Sequence, residues 1–308
     1  MQIICDNPDI ANELIGETLK SRIELSNLPN DVNDLCKHIF TKERLYCESK
    51  IDDFWNYLLV NEYSNESQFD IINKLISKNY ELPDKILLLA SEGKGFHGFR
   101  NRPWSTEKGN IHLTVYFKPQ ISTPNFHVGL LIVAAVAVLK TIDSIPDLYG
   151  KAQTKWVNDI VINQSKVCGI ITQSFSTGNK ISGAVVGIGL NVLTEPKIEL
   201  DKFTNSVTSI KKHTSSDDCN LNFVLNNLIK SLSEYIIQLQ SGKFKKLLQI
   251  YRERSAVIGK NVEIYSDPVN GISEKILKTK VVDINENLEL IVSNSKTTIK
   301  NGRLTFAS

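Results

Sequence analysis

The segment that most constrains the fold is a pair of apolar runs separated by a short polar turn, in the range Lys155–Gln173. Trp156–Ile162 and Val167–Thr172 are rich in β-branched and aromatic residues, which favour strands. Asn163-Gln164-Ser165, which lies between them, has the composition of a tight turn. We therefore predict two short antiparallel strands joined as a hairpin.

Three polar side chains lie within this hairpin, namely Asn158, Asp159 and Lys166. A carboxylate and an amide suit a metal-bound phosphate, and an ammonium group suits a carboxylate or phosphate oxygen. An ordinary hairpin with a solvated lysine and a turn-forming Asn-Asp pair has the same pattern. The hairpin alone therefore leaves its function open.

Composition limits the classes of function. The chain has 308 residues, of which 41% are hydrophobic and 23% charged, as in a globular protein with room for more than one domain. Its formal net charge of +2 gives no strong field toward nucleic acid or a membrane, so we expect neither as a partner. The five cysteines are scattered, which favours free thiols over disulfides and does not match the spacing of a zinc site.

The apolar segments are too short for a membrane helix, which needs ~20 residues. The longest run, Val128–Leu139, predicts a buried helix instead. The N-terminus lacks a basic region followed by an apolar one, so we expect no secretory signal. We therefore expect a cytoplasmic protein, with an organelle as the alternative.

A glycine-rich basic loop, Gly93–Trp104, follows the apolar strand predicted at Ile86–Ala90. Its glycines allow the backbone to wrap closely around a ligand and to offer N–H groups to phosphate oxygens. The residues that carry this prediction are Gly93, Gly95 and Gly98 with the cations Lys94, Arg100 and Arg102. A plain surface loop remains the alternative, because the segment lacks the Walker pattern.

Two further strands carry polar or small residues. Asn110–Phe117 alternates like a half-buried strand, and we interpret His112 within it as a sheet histidine rather than a catalytic base. Gly183–Val192 is a strand with glycines at Gly187 and Gly189, which indicate close approach of a ligand or of another part of the protein.

The other predicted elements serve the core. Helices are expected at Ile10–Leu19, Val32–Phe40, Phe69–Ile76 (with Asn65 or Ser67 as N-cap), Val128–Ile142, Leu221–Leu239 and Phe244–Glu253. Short alternating runs at Val262–Tyr265, Thr279–Val282, Leu288–Val292 and Thr297–Lys300 predict a small all-β module, which we interpret as a barrel.

The order of the motifs resembles that of the biotin protein ligases (holocarboxylase synthetases). The motifs are Gly93–Trp104, Gly109-Asn110, Lys155–Asp159, Lys166–Ile170 and Gly187–Asn191, followed by Tyr251, Ile258–Val262 and Asn301–Leu304. The resemblance implies an α+β fold: a mixed β-sheet catalytic domain with flanking helices, plus a small C-terminal SH3-like β-barrel. It divides the chain into an N-terminal segment 1–50, a catalytic domain 51–254 and a C-terminal domain 255–308.

The resemblance also implies a two-step reaction. Biotin and ATP with Mg²⁺ first give biotinyl-5′-AMP, and a lysine of a biotin carboxyl carrier domain then takes the biotinyl group. By resemblance, the catalytic residues are Lys166, Lys94 and Arg100, and Asp159 is a candidate Mg²⁺ ligand. The residues implied in binding biotin and ATP are Asn65, Glu66, Ser67, Gly93, Gly95, Gly98, Arg102, Trp104, Asn158, Asp159, Gly169, Gly187, Gly189 and Asn191.

The chain departs from the family pattern at several of these positions. Lys94 stands where an arginine is usual, and Phe96 and Phe99 stand where arginines are common, so Arg100 or Arg102 is left to supply the missing charge. Asn65-Glu66-Ser67 replaces Ser-Thr-Asn, and Ala90 lies near the place of a common glutamine. Val157 replaces the usual proline. These departures bear on the contacts to biotin more than on the reaction.

Three alternatives stay open at this point. A lipoate or octanoate ligase has a related fold, but its usual Arg-Arg-x-Ser-Gly-Gly loop is missing here. A degenerate, non-catalytic biotin-binding homologue is a second alternative. Residues 1–50 lack a basic recognition helix, so a DNA-binding role is not expected. The chain leaves open whether the protein is a monomer or a homodimer.

Overall fold

The computed structural model describes residues 1–42, 45–50, 52–119, 125–199, 201–204, 206–268, 273–293 and 295–307. The strands are β1 (Gln2–Cys5), β2 (Ser21–Ile23), β3 (Leu45–Ser49), β4 (Tyr57–Ser64), β5 (Ile86–Gly93), β6 (Ile111–Phe117), β7 (Ala152–Lys155), β8 (Asp159–Ile162), β9 (Ser165–Thr177), β10 (Lys180–Leu190), β11 (Asn261–Tyr265), β12 (Lys275–Ile284), β13 (Leu290–Val292) and β14 (Arg303–Phe306). The helices are α1 (Pro8–Ile15), α2 (Asn30–Ile39), α3 (Gln68–Ser77), α4 (Phe126–Asp143), α5 (Leu221–Gln240) and α6 (Phe244–Glu253).

One mixed sheet of ten strands organises most of the chain, in the order β2-β3-β1-β4-β5-β6-β10-β9-β8-β7. Strands β1, β4 and β5 run parallel to one another. In the rest of the order, β5-β6-β10-β9-β8-β7, each strand pairs antiparallel with the next. Helices cover both faces of this sheet: α1, α4, α5 and α6 lie on one side, and α2 and α3 on the other. The predicted α+β class is confirmed.

The alternation of side chains along β6 shows how the two faces are used. Leu113 and Val115 belong to the core under α4 and α5, whereas Tyr116 belongs to the core under α2 and α3. His112 and Thr114 share the second face with Tyr116, because side chains of a strand alternate. The face toward α3 therefore combines an apolar core with buried polar residues.

Helix α4 is the predicted buried helix. It is long and apolar enough to span a membrane by length and composition alone, yet 78% of it is buried inside this fold. It contacts α5 and α6 as well as β9 and β10. Its apolar character all round follows from this position between the sheet and the outer helices.

The first fifty residues, whose role the sequence left open, add three strands to the same sheet. Strand β1 pairs in parallel with β4 and antiparallel with β3, and β2 closes the edge. The first predicted helix ends earlier than expected, at Ile15, because Gly16 adopts a left-handed conformation at φ 69° and terminates it. These short strands lacked a sufficient alternating pattern to be predicted.

The predicted hairpin is confirmed, with β8 and β9 as its strands. Asn163 and Gln164 form its turn with φ of 50° and 66°, as a two-residue turn between twisted strands requires. The predicted start of the first strand at Trp156 is wrong, since Trp156–Asn158 form a turn between β7 and β8. Trp156 instead donates its indole N–H to the carbonyl of Leu288 at 2.6 Å and so contacts the C-terminal module.

The C-terminal module is a four-stranded antiparallel sheet with the order β13-β12-β11-β14. The strand predicted at Thr297–Lys300 is wrong: only Ile299 forms an isolated bridge, to Leu290. The fourth strand of this sheet is instead β14, which pairs with β11. Ser67, one of the two residues predicted as the N-cap of α3, does precede the helix, but its side chain makes no capping hydrogen bond.

Candidate active site

A row of directly opposed residues crosses the sheet from β4 to β8, and we call it the central row. Its members are Asn61, Ala90, His112, Gly189, Gly169 and Asp159, each opposite the next on the neighbouring strand. Directly opposed residues project from the same face of a sheet. The central row therefore combines polar groups at both ends with two bare glycines between them.

A cavity of about 570 Å³ lies over this part of the sheet. Its floor includes Gly169, Gly187 and Gly189, together with His112 and Thr114. The loop Phe96–Ser105 forms one wall. Ser67, Asn158, Lys166, Asn191 and Arg303 also line the cavity.

The glycines of the floor allow an aromatic ring to lie directly on the backbone. A Cβ atom added at Gly189 would lie 2.3 Å from Cε2 of Trp104, and one added at Gly169 would lie 2.8 Å from Cζ3 of the same ring. Any larger side chain would therefore displace Trp104. At Gly187 the corresponding space is taken by Ile171, at 2.8 Å.

Lys166 carries its ammonium group to the floor of the cavity. Its Nζ lies 2.7 Å from Oδ1 of Asp159, and both side chains are 19% exposed. The same atom lies 5.4 Å from the centre of the Trp104 ring and would be 3.3 Å from a Cβ at Gly169. A cation in this position can bind an anionic group placed over the glycines.

The turn before Asp159 is held by two partly buried hydrogen bonds. Asn158 donates from Nδ2 to the carbonyl of Ile170 at 2.7 Å, and Tyr251 donates from its hydroxyl to the carbonyl of Val157 at 2.8 Å. Burial raises the pKa of the Tyr251 phenol, so it stays a donor. These contacts fix the position of Asp159 relative to β9.

Further cations surround the entrance near the C-terminal module. Arg303 pairs with Asp201 at 2.7 Å and stacks over Phe203 at 3.6 Å. Burial lowers the pKa of Arg102 and of Lys155, although nearby carboxylates oppose the effect. A group of partly desolvated cations favours a polyanionic ligand such as a nucleotide phosphate.

The glycine-rich loop is folded back on itself. Trp104 donates its backbone N–H to the carbonyl of Phe96 at 2.9 Å, and Gly98 donates to the carbonyl of Arg102 at 2.7 Å. Arg100, at φ 62°, lies at the tip and pairs with Asp267 of the C-terminal module. At its base, His97 contacts Asp70 of α3 with 2.9 Å between Nε2 and Oδ2.

The structure brings most of the predicted site residues together. Those that line the main cavity are Ser67, Gly98, Arg102, Trp104, Asn158, Lys166, Gly169, Gly187, Gly189 and Asn191. Asp159 and Arg100 line smaller neighbouring cavities. Lys94 and Gly95 are exposed, Gly93 is half-buried, and Asn65 and Glu66 line a separate cavity of about 300 Å³. The roles of all the predicted site residues stay predictions.

Sequence reasoning misses Arg303 and the Asp70–His97 pair, and it predicts His112 only as a sheet histidine. His112 is 3% exposed, and its Nε2 makes no hydrogen bond with any of the described residues. Arg303 belongs to a motif recognised in the sequence, but its distance along the chain hid its position at the cavity. Cross-strand register, which is not visible in a sequence, is what places His112 beside Gly189.

A metal would find few protein ligands here. Within the residues that the structure describes, there is no cluster of three or more His, Cys, Asp or Glu side chains. Asp159 is a single carboxylate held by Lys166. This donor set fits a Mg²⁺ ion that takes most of its ligands from nucleotide phosphates and water.

The fold is that of the biotin protein ligases. The biotin protein ligase of Aquifex aeolicus, solved in complex with biotin and ATP, superposes with a TM-score of 0.62 at 20% identity, over 81% of this chain and 99% of that one. Residues 67–191 match the biotin/lipoate A/B protein ligase family, and the resemblance seen in the sequence is thereby confirmed.

Two curated relatives align with part of this chain. The bifunctional ligase/repressor BirA of Bacillus subtilis is 29% identical over 138 residues, which are 44% of this chain and 41% of that protein. The biotin–[acetyl-CoA-carboxylase] ligase of Paracoccus denitrificans is 31% identical over 109 residues, which are 35% of this chain and 45% of that protein. The aligned part thus spans less than half of either relative.

Proposed function

We propose that this protein activates biotin with ATP as biotinyl-5′-AMP and transfers it to a specific lysine of a biotin carboxyl carrier domain. The observation that carries the proposal is the position of the Lys166 ammonium over the bare floor at Gly169. A carboxylic acid that displaces the Trp104 ring and lies along this floor brings its carboxylate to that cation. The neighbouring relatives are ligases of biotin, which supports the same acid here.

The first step joins two anions. One oxygen of the biotin carboxylate attacks the α-phosphorus of ATP, a P–O bond forms, and the bond to the leaving pyrophosphate breaks. Like-charge repulsion opposes this attack, so cations aimed at the carboxylate and the phosphates lower its barrier. We assign Lys166 to the carboxylate, which it binds by exchanging its contact with Asp159, and Arg102 and Arg303 to the phosphates.

The second step transfers the acyl group. The amine of the carrier lysine attacks the acyl carbon of biotinyl-5′-AMP, the C–O bond to AMP breaks, and the amine loses a proton to solvent or to a nearby base. Water would compete for the same carbon. We assign Trp104 to its exclusion, since the ring already covers Gly169 and Gly189 and can return over the chain of the bound acid.

Magnesium belongs to the proposal as the ion that accompanies ATP. When bound, it neutralises phosphate charge and orients the triphosphate for in-line attack. Asp159 is the residue of this chain that we assign to it. Its carboxylate becomes available when Lys166 turns to the acid.

The test is biotin-dependent exchange between pyrophosphate and ATP, followed by transfer of labelled biotin to a carboxyl carrier domain. We expect exchange with biotin and little with lipoate or octanoate, and transfer that is lost when the acceptor lysine of the carrier is changed to arginine. Exchange supported by octanoate but not by biotin would indicate the related lipoate-ligase activity. Absence of exchange with all three acids would indicate a non-catalytic homologue.

A further inference from the structure

His112 occupies the end of the cavity floor opposite to Lys166. It lies on the central row between Ala90 and Gly189, and its ring makes an edge contact with Phe96 at 5.9 Å between centres. Ala90 contributes only a methyl group beside it. The polar edge of the imidazole is therefore the hydrogen-bonding group on this row between Asn61 and the glycines.

The hydrogen bonding of His112 defines which nitrogen carries the proton. Its Nδ1 lies 3.2 Å from the carbonyl oxygen of Ala90, and a carbonyl can only accept, so Nδ1 is the donor. Burial lowers the pKa of His112 to about 4, against the opposing effect of the carbonyls of Ala90, Ser91 and Ser105, and the ring is neutral at pH 7. Nε2 is then a lone-pair acceptor, and it has no partner among the described residues.

The distance between the two ends of the floor matches an acid with a polar head. His112 and Gly169 are separated by two strand spacings, which is about 10 Å. The ammonium of Lys166 stands over Gly169, and between the two ends lies the backbone of Gly189, which the Trp104 ring covers and which a ligand reaches when that ring moves aside. A ligand that fills this floor has a carboxylate at one end and a hydrogen-bond donor at the other.

We propose that Nε2 of His112 accepts a hydrogen bond from a ureido N–H of biotin and thereby selects biotin against acids whose ring carries no donor. The inference rests on the proposed function and assigns a specificity-determining residue within that site. Biotin has a ureido ring at the far end of a chain that ends in a carboxylate. Lipoate has the same chain with a dithiolane, which has no N–H to offer.

The size of the selection follows from this unmet acceptor. Nε2 of His112 is buried and without a partner among the described residues before a ligand binds, so the cost of its desolvation is already part of the fold, and a donor from the ligand adds a hydrogen bond without that cost. A site built around such an atom rejects the analogue that lacks the donor. We expect about tenfold or more in affinity from this contact.

The experiment compares His112→Phe with His112→Gln by calorimetric titration of biotin and lipoate in the full chain. Phenylalanine keeps the ring without the acceptor, whereas glutamine places an amide oxygen near the position of Nε2. We expect the dissociation constant for biotin to rise about tenfold or more in His112→Phe and to be largely restored in His112→Gln. The constant for lipoate should be unchanged or lower in His112→Phe, which also shows that the site has folded.

A ligand change tests the same contact without depending on the folding of a variant. Biotin methylated on either ureido nitrogen is titrated against the wild-type chain and against His112→Phe. One of the two methylated forms should bind about tenfold or more weakly to the wild type, and in His112→Phe that penalty should shrink. Equal affinity of wild type and His112→Phe for biotin, or the same penalty in both, would overturn the role of His112 alone. Failure of the wild type to bind biotin would overturn the proposed function with it.

Discussion

Lys166 is the residue on which the proposed chemistry depends most directly. We expect Lys166→Ala to reduce biotin-dependent pyrophosphate exchange by about 100-fold or more, because the carboxylate then approaches the α-phosphate without its cation. Lys166→Arg should retain part of the activity. Lys180→Ala, which removes an exposed cation from the end of β10, is the matched control and should leave exchange unchanged. Normal exchange in Lys166→Ala would remove this lysine from the site.

Gly189 shows how one missing side chain shapes a cavity. We expect Gly189→Ala to raise the KM for biotin about tenfold or more, because its Cβ would lie 2.3 Å from the Trp104 ring and shift it. Gly183→Ala on the same strand is the control, since its Cβ would meet Tyr116 at 3.3 Å, outside the cavity. Steady-state kinetics on both variants measures the difference. Equal KM values would contradict the contact.

At the scale of elements, the glycine-rich loop is anchored to α3 by the Asp70–His97 pair. Burial is the largest single effect on His97 and lowers its pKa, but the hydrogen bond with Asp70, the Gly98 carbonyl and the charge of Asp70 together outweigh burial and raise the pKa. The pair therefore stabilises the fold fully below about pH 6.5, the ordinary pKa of histidine, and this contribution is lost as the pH rises through the raised value.

Asp70→Asn should remove this pH dependence. We expect the variant to unfold at a lower temperature than the wild type at about pH 5.5 and at nearly the same temperature at about pH 8.5, with a loss of no more than about 1 kcal/mol. Thermal unfolding across this range is the measurement. Asp34→Asn, which breaks the exposed pair with Lys37, is the control and should shift both temperatures equally. A pH-independent loss in Asp70→Asn would argue against a charged His97.

The elements also show what the sequence could and could not predict. The hairpin of β8 and β9 was predictable because its turn and its β-branched strands are local signals. The helices α5 and α6 were predictable from their apolar spacing. Strands β1 to β3 were not, since each is short and gains its stability from partners far along the chain. The central row could not be predicted either, because it is created by the register between six strands that are far apart along the chain.

At the scale of the whole molecule, the C-terminal module is joined to the cavity. Arg303 at the start of β14 lines it, and Trp156 and Arg100 contact the module through Leu288 and Asp267. The sequence predicts this module as a separate β unit, but it contains no local signal that would place Arg303 at the entrance of the cavity. Binding of a nucleotide is therefore expected to depend on both parts of the chain.

Arg303→Gln tests that dependence. We expect the KM for ATP to rise about tenfold while the KM for biotin changes little, because the guanidinium is assigned to the phosphates and not to the acid. Lys300→Ala removes an exposed cation from the same module and serves as the control. Kinetics with varied ATP and with varied biotin separates the two constants. An equal rise in both would show that Arg303 supports the fold of the cavity instead.

The parallel pairing of β1 with β4 has a practical consequence for anyone preparing a shorter catalytic fragment. Strand β1 pairs with β4, so removal of the N-terminal segment would expose one edge of β4, whose residues Leu58 and Val60 lie in the core. An uncovered apolar edge strand invites pairing with other molecules. Such a fragment would be expected to precipitate or to associate with itself, and a failure to find activity in it would say nothing about the chemistry of the intact chain.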